Sequence, residues 1–181
     1  YNPFSTSSNP EKAKELLNEA GVSTPVEITI TTDNKYANHT KPAKVVQANL
    51  NQAGFDVEID LYDWSTFLER EHEEKYDVYV NSWTGFIEPD TYLYPMFHSE
   101  GDFNWLSYAN EDLNKLLEEG KTEQDEEKRK EIYEEAQKLI VDEAPYIWMY
   151  HPKVLEAWDN NIKGHDVHPL SNIELGPMNE Q

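Results

Sequence analysis

Acidic pairs and imidazole pairs are the residues of this sequence whose types and spacing could do chemistry. Glu88 and Asp90 stand two apart in IEPD, within NSWTGFIEPDTYLYPMFHSEGDFNW (81–105), which also carries Trp83, Phe86, Tyr92, Tyr94, Phe97, Phe103 and Trp105. Two carboxyl groups about 5 to 9.5 Å apart around a sugar would perform glycoside hydrolysis. In a chain with 36 acidic residues, however, neighbouring carboxylates also arise simply as solvated surface. His165 and His168 in GHDVHP are three apart with Asp166 between them. Ligating a metal needs both rings on one face, and this segment has no helical period to hold them there, so neither a metal site nor a cofactor is expected. His39, His72, His98 and His151 are scattered and read as hydrogen-bonded surface or boundary residues. No Gly-x-Ser-x-Gly elbow, cysteine nucleophile or phosphate-cradling glycine loop is present, and the chain has only seven glycines.

The aromatic stretch has two readings. Tyr94, Phe97 and Phe103 are expected in or beside the core under a long connection. Trp83 follows a run that reads as a strand, and open α/β sheets place ligands at the carboxyl ends of their strands. A large flat ring at such a position can line a cleft and stack on a ligand.

Several elements must position these residues. Asn9-Pro10 is a helix start, with Ala13, Leu16, Leu17 and Ala20 as its apolar stripe and Gly21 as its stop. VEITIT (26–31) and FDVEIDLY (55–62) alternate with period two, and a helix from about Lys41 to Ala53 joins them. Strand, helix and strand of this length make a βαβ unit with parallel strands, hence an α/β fold. Asp63 caps a short helix bearing Trp64, Phe67 and Leu68, and YDVYVNSW (76–83) reads as a third strand. Asn110 caps EDLNKLLEEG with Gly120 as its stop, and a helix over 126–143 ends before Pro145. PYIWMYH (145–151) reads as a further strand, and the tail from Asn160 has no assignable element.

With 15 basic and 36 acidic residues the net charge is −21, so nucleic acid and anionic membrane surfaces would be repelled. The absence of cysteine excludes a disulfide framework and a Cys-type zinc site, and fits an exported bacterial protein. No run of about 18 apolar residues is present to form a transmembrane helix. YNPFSTSSNPEKAKELL has neither a basic n-region nor an apolar h-region, so the chain is expected to be a piece of a longer protein.

In NPEKAKELLNEAG, DWSTFLEREHEEKYDVYVNSW and FHSEGDFNWLSYANEDLNKLLEEGKTEQDEEKRKEIYEEAQKLIVDEAPYIWMY, the chain resembles the extracytoplasmic solute-binding proteins that serve peptide, dipeptide and nickel ABC importers. No one segment is specific; their order and spacing carry the likeness. The resemblance implies a type II periplasmic-binding-protein-like lobe, a mixed sheet flanked by helices. Residues 1–181 would be the single C-terminal lobe of a two-lobed monomeric clamp, with the N-terminal lobe absent. It further implies an extracytoplasmic, lipid-anchored, non-catalytic protein that binds a peptide-like solute and delivers it to a membrane permease. The cleft wall would comprise Trp64, Asn81, Trp83, Thr84, Gly85, Phe86, Glu88 and Asp90. Peptide-binding members carry an Asp at the position of Phe86, which pairs with the ligand's amino group, and oligopeptide members carry arginines at the positions of Glu71 and Val80. Since this chain has none of these, Glu88 or Asp90 would supply the carboxylate, or an aromatic wall of Trp64, Trp83, Phe86 and Tyr92 would stack on an oligosaccharide or other uncharged solute. Carboxylate-based glycoside hydrolysis is the second alternative.

Overall fold

The computed structural model describes residues 1–4, 8–84, 87–168, 170 and 179–180. Gly85 and Phe86, both expected in the cleft wall, lie outside the described residues. Helix α1 (Pro10–Glu19) opens on Asn9, whose side chain accepts the Lys12 N–H. Strand β1 (Val26–Asp33), helix α2 (Ala37–Gln52) and strand β2 (Phe55–Tyr62) form the βαβ unit, with β1 and β2 parallel and paired from Val26↔Phe55 to Asp33↔Tyr62. Helix α3 (Trp64–His72) follows, its first N–H groups held by the Asp63 carboxylate. Strand β3 (Val78–Tyr79) adds parallel to the other side of β1, giving the order β2-β1-β3. The expected mixed character is divided between two sheets, because β4 (Ile162–Lys163) and β5 (Asn179–Glu180) pair antiparallel on their own.

Successive side chains of a strand face opposite ways, which divides β1 by chemistry. Ile28 and Ile30 pack with Val57, Val78 and Val80 under Ala43, Val46 and Leu50 of α2. Thr29, Thr31 and Asp33 take the other parity, and α3 packs against β1 with Phe67 fully buried.

A second core forms among helices α4 (Pro89–Phe97), α5 (Glu111–Thr122) and α6 (Glu126–Glu143). Leu93, Met96, Phe97, Leu113, Leu117, Tyr133, Ala136 and Ile140 are buried there, with Trp83, Tyr92, Tyr94 and Tyr146 packed against them. Asn110 and Asp125 cap α5 and α6 as their positions in the sequence require.

Several elements differ from the sequence reading. The middle of the aromatic stretch is helical, with Pro89 in the first turn and Pro95 inside α4. Gly120 lies within α5 and does not stop it; a Cβ there would sit 2.8 Å from Cζ of Tyr133, so this glycine lets α6 approach. Helix α2 begins at Ala37 and runs through Pro42. Proline leaves the carbonyl four residues earlier without its helical donor, and the Tyr150 hydroxyl lies 3.5 Å from that oxygen on Asn38. The third strand stops short: Val80 N–H still donates to Thr31 O, but the next donor, Ser82 N–H, turns to the Asn81 side chain at 2.8 Å. Side-chain competition for backbone donors ends the ladder. Residues 145–151 form no strand; Tyr146 packs inward, while Ile147, Trp148, Met149 and Tyr150 are exposed.

A polar candidate site at the carboxyl end of the sheet

The carboxyl ends of β1 and β3 meet the first turn of α2. Asp33 ends β1 and is completely buried; its Oδ1 accepts the N–H groups of Lys35 at 2.8 Å and Tyr36 at 2.9 Å, which fixes the turn into α2. Its Oδ2 is 2.5 Å from Nδ1 of His39, a ring only 2 % exposed. On the far side of that ring, Nε2 is 2.8 Å from Oγ of exposed Ser82, just beyond β3. A carboxylate accepts only, so Nδ1 carries the proton toward Asp33, and with the ring in its neutral form Nε2 accepts the Ser82 hydroxyl. Asn38 Nδ2 approaches the same oxygen at 3.4 Å. Ser82 therefore presents an oriented acceptor at the surface, backed by two buried groups.

The order Asp, His, Ser invites comparison with a nucleophilic relay. Acyl transfer also needs N–H donors aimed at the developing oxyanion. The N–H of Ser82 is already engaged by Asn81 Oδ1. The arrangement orients a hydroxyl.

Beside this chain of contacts lies Glu71, with no exposed surface, whose oxygens accept Asn81 Nδ2 at 2.8 and 3.2 Å. Burial pushes its carboxyl up to about 7; the Asn81 hydrogen bond opposes that rise and the charge of Asp33 adds to it. Trp64 stands over the same end of the sheet. Its ring is 5.2 Å from Tyr36, edge to face, and stacked at 5.6 Å on Phe67, with Lys35 Nζ 5.3 Å from its centre.

The structure thus brings together Asn81 and Trp64 with Asp33, Tyr36, His39, Glu71 and Ser82. Trp83 turns the other way: Phe103 meets it edge to face at 4.7 Å, Trp105 lies 6.4 Å away, and it packs on the helical core. Thr84 is exposed. Glu88 and Asp90 stand at the start of α4 and face α6. Glu88 Oε2 is 2.8 Å from Arg129 Nη2, and the Asp90 charge, after burial, helps push the Tyr133 phenol upward. The nearby aromatic residues Phe97 and Tyr94 are core and boundary, as expected, whereas Phe103 is 37 % exposed. His165 contacts Glu156 at 2.6 Å and His168 Nδ1 accepts the Leu170 N–H. Among the described residues no group of three or more His, Asp or Glu could hold a metal ion.

Asp33 and His39 were not among the residues expected at the site. The available signal is positional: an acid on the last residue of a strand, six before a histidine in the first turn of the next helix. Ser82 needed the third strand to be placed first.

The family described as bacterial extracellular solute-binding proteins, family 5 Middle, matches residues 1–104. Among curated proteins, the sequence is 29% identical over 172 residues to di/tripeptide-binding protein 4 of Pseudomonas aeruginosa, covering 91% of this chain and 32% of that protein. Among solved structures, AppA of Clostridium difficile superposes with a TM-score of 0.86 at 28% identity, over 97% of this chain and 37% of that one. The periplasmic binding protein DppA of Helicobacter pylori, in complex with the peptide STSA, gives a TM-score of 0.73 at 30% identity, over 81% of this chain and 30% of that one. The chain spans about a third of the length of the curated relatives it matches. The fold is that of a periplasmic-binding-protein lobe.

Proposed function

Because the chain belongs to the bacterial extracellular solute-binding proteins of family 5, we propose that residues 1–181 form the C-terminal lobe of a two-lobed importer component and supply one wall of its solute cleft. The solute is an oligopeptide or dipeptide-like molecule, delivered to an ABC permease by an extracytoplasmic, lipid-anchored monomer. The family is one of binding proteins, not enzymes. Closure around the solute is the mechanism, because contacts made only in the closed state shift the open–closed equilibrium.

The observation that carries this reading is the Ser82 hydroxyl, held by buried His39 and Asp33 at the carboxyl end of a parallel sheet. A peptide presents N–H groups and an ammonium, and an oriented acceptor beside Asn81 suits them. Trp64 and Tyr36 supply apolar surface next to it. Within this wall Asn81 and Trp64 carry the main contacts, with Thr84, Gly85 and Phe86 next in the sequence. Trp83 packs on the helical core and braces the wall. Glu88 and Asp90 stand at its far margin. Glu88 accepts Arg129 through Oε2, an exposed pair that costs little to rearrange around an amine.

The aromatic surface also favours a second reading, an uncharged sugar stacked on Trp64. Calorimetry on the full-length protein separates the two, with a dipeptide panel in one arm and oligosaccharides in the other. Trp64→Ala is expected to weaken the bound class by more than about 1 kcal/mol. Unchanged affinity for both classes would remove this end of the sheet from the binding site.

A further inference from the structure

A second concave site lies lower on the sheet, between the Thr29 and Thr31 parity of β1 and the segment joining α3 to β3. It has a volume of about 320 Å³ and is lined by Thr31, Asp60, Arg70, Lys75 and Asp77 among others. That volume sits at the lower end of the ~300–1,000 Å³ found for small-molecule pockets. Arg70 is six residues along α3 from Trp64, about 9 Å at the helical rise, so this cavity is distinct from the cleft wall.

Two of its polar groups are unmatched. Thr31 is 1% exposed, and its Oγ1 has no hydrogen-bond partner among the described residues. Arg70 Nε is buried and likewise unpartnered. Its guanidinium lies 4.7 Å over the Tyr62 ring, and among the described residues Arg70 makes no ion pair, in a chain with 36 acidic residues. Buried donors left unmatched are costly, so such groups call for an occupant. The acids of the cavity each have one oxygen engaged: Asp77 Oδ2 accepts Thr29 N–H at 2.8 Å, and Asp60 Oδ2 accepts the Tyr62 hydroxyl at 3.0 Å. Lys75 pairs with Glu73 at 2.6 Å on the surface.

This lining discriminates among ligand charges. A bare anion would meet Asp60, Asp77 and the field of a −21 chain. A bare cation would be repelled by Arg70 and would leave its Nε–H unmatched. A small zwitterion avoids both penalties, since it has no net charge and carries both signs a few ångströms apart. We propose that this cavity binds a free α-amino acid, with its carboxylate against Arg70 and Thr31 and its ammonium against Asp60 and Asp77. The proposal is independent of what occupies the cleft above.

Titration calorimetry with L-alanine tests it, with acetate and methylammonium as its two halves. Saturable binding of L-alanine is expected, at least about tenfold tighter than either half alone. Arg70→Gln should weaken it by about tenfold or more, and Thr31→Val by about threefold. Trp64→Ala should leave it unchanged. Absence of saturable binding overturns the proposal, and so does acetate binding as tightly as L-alanine, which would mark a plain anion site. Loss of binding with Trp64→Ala would assign the heat to the cleft and overturn it as well. Should Arg70→Gln fail to fold by circular dichroism, Asp77→Asn carries the decision: about tenfold weaker binding supports the site, and unchanged binding refutes it.

Discussion

Around Ile30 the sheet buries Thr31, Thr32, Asp33, His39 and Glu71 beside its aliphatic residues, whereas the core shared by α4, α5 and α6 encloses apolar side chains and the Tyr133 ring, with His98 at its margin. Helices can satisfy their backbone groups internally and meet through side chains alone, so the second core needs no buried polar network. At the end of a parallel sheet the chain must leave each strand, and the groups that fix those exits, Asp33 and Asn81, also hold His39, Ser82 and Glu71. Turn geometry and the candidate site therefore share residues in one half and are separate in the other. On the proposed function, the sheet half reads the solute and the helical half supports it.

Phe97→Ala tests the supporting role most severely. A fully buried phenylalanine removed from the helical core should lower stability by about 3–5 kcal/mol in urea denaturation. Solute affinity of the molecules that remain folded should not change; a large loss would mean that the two halves do not divide as described. Asp33→Ala is the counterpart in the sheet half. It removes both the cap on the turn into α2 and the acceptor for buried His39, and should cost roughly 2–4 kcal/mol. Here solute affinity should fall too, since Ser82 loses its orientation; an intact affinity would separate the hydroxyl from recognition.

Glu71→Gln sharpens the contrast through pH. Its ordinary value of 4.5 is raised by burial to about 7, so between these the folded protein keeps a proton that the unfolded chain releases. The stabilisation from that site is complete below about pH 4.5 and is lost as pH rises through about 7. Glutamine has nothing to ionise, so the variant should exceed the parent by roughly 1–3 kcal/mol at pH 8 and match it near pH 4. Parallel stability profiles across this range would contradict the buried-acid assignment. Glu88→Gln should have the smallest effect, within about 1 kcal/mol, because its bond to Arg129 is exposed. A larger loss of solute affinity would return Glu88 to the cleft as an amine partner.

Much of the framework was legible because it is written in local chemistry. Asn9, Asp63, Asn110 and Asp125 cap the helices they precede, and the period-two alternation of 26–31 and 55–62 marks the paired strands. What escaped depends on neighbours far along the chain. Gly120 looked like a stop because its reason for being glycine is the Tyr133 ring, and 145–151 looked like a strand because an apolar run does not disclose whether it has a ladder partner. Pro42 obscured the first turn of α2, and Pro95 the whole of α4. At the candidate site, Asn81 and Trp64 were expected through the resemblance. Asp33 and His39 lie six apart and carry only a positional signal, whereas Ser82 joins them only when β3 comes to lie beside β1.

The strand order adds a constraint that belongs to synthesis. β1 lies at the centre of its sheet, yet both of its neighbours follow it in the sequence. A chain made from its N-terminus therefore carries β1 with two open edges until β2 arrives, and with one until Tyr79 has been added. Unpaired edges recruit other strands. During that interval the most buried strand of the finished sheet is its most adhesive segment, and delay in completing β3 would favour association between nascent chains.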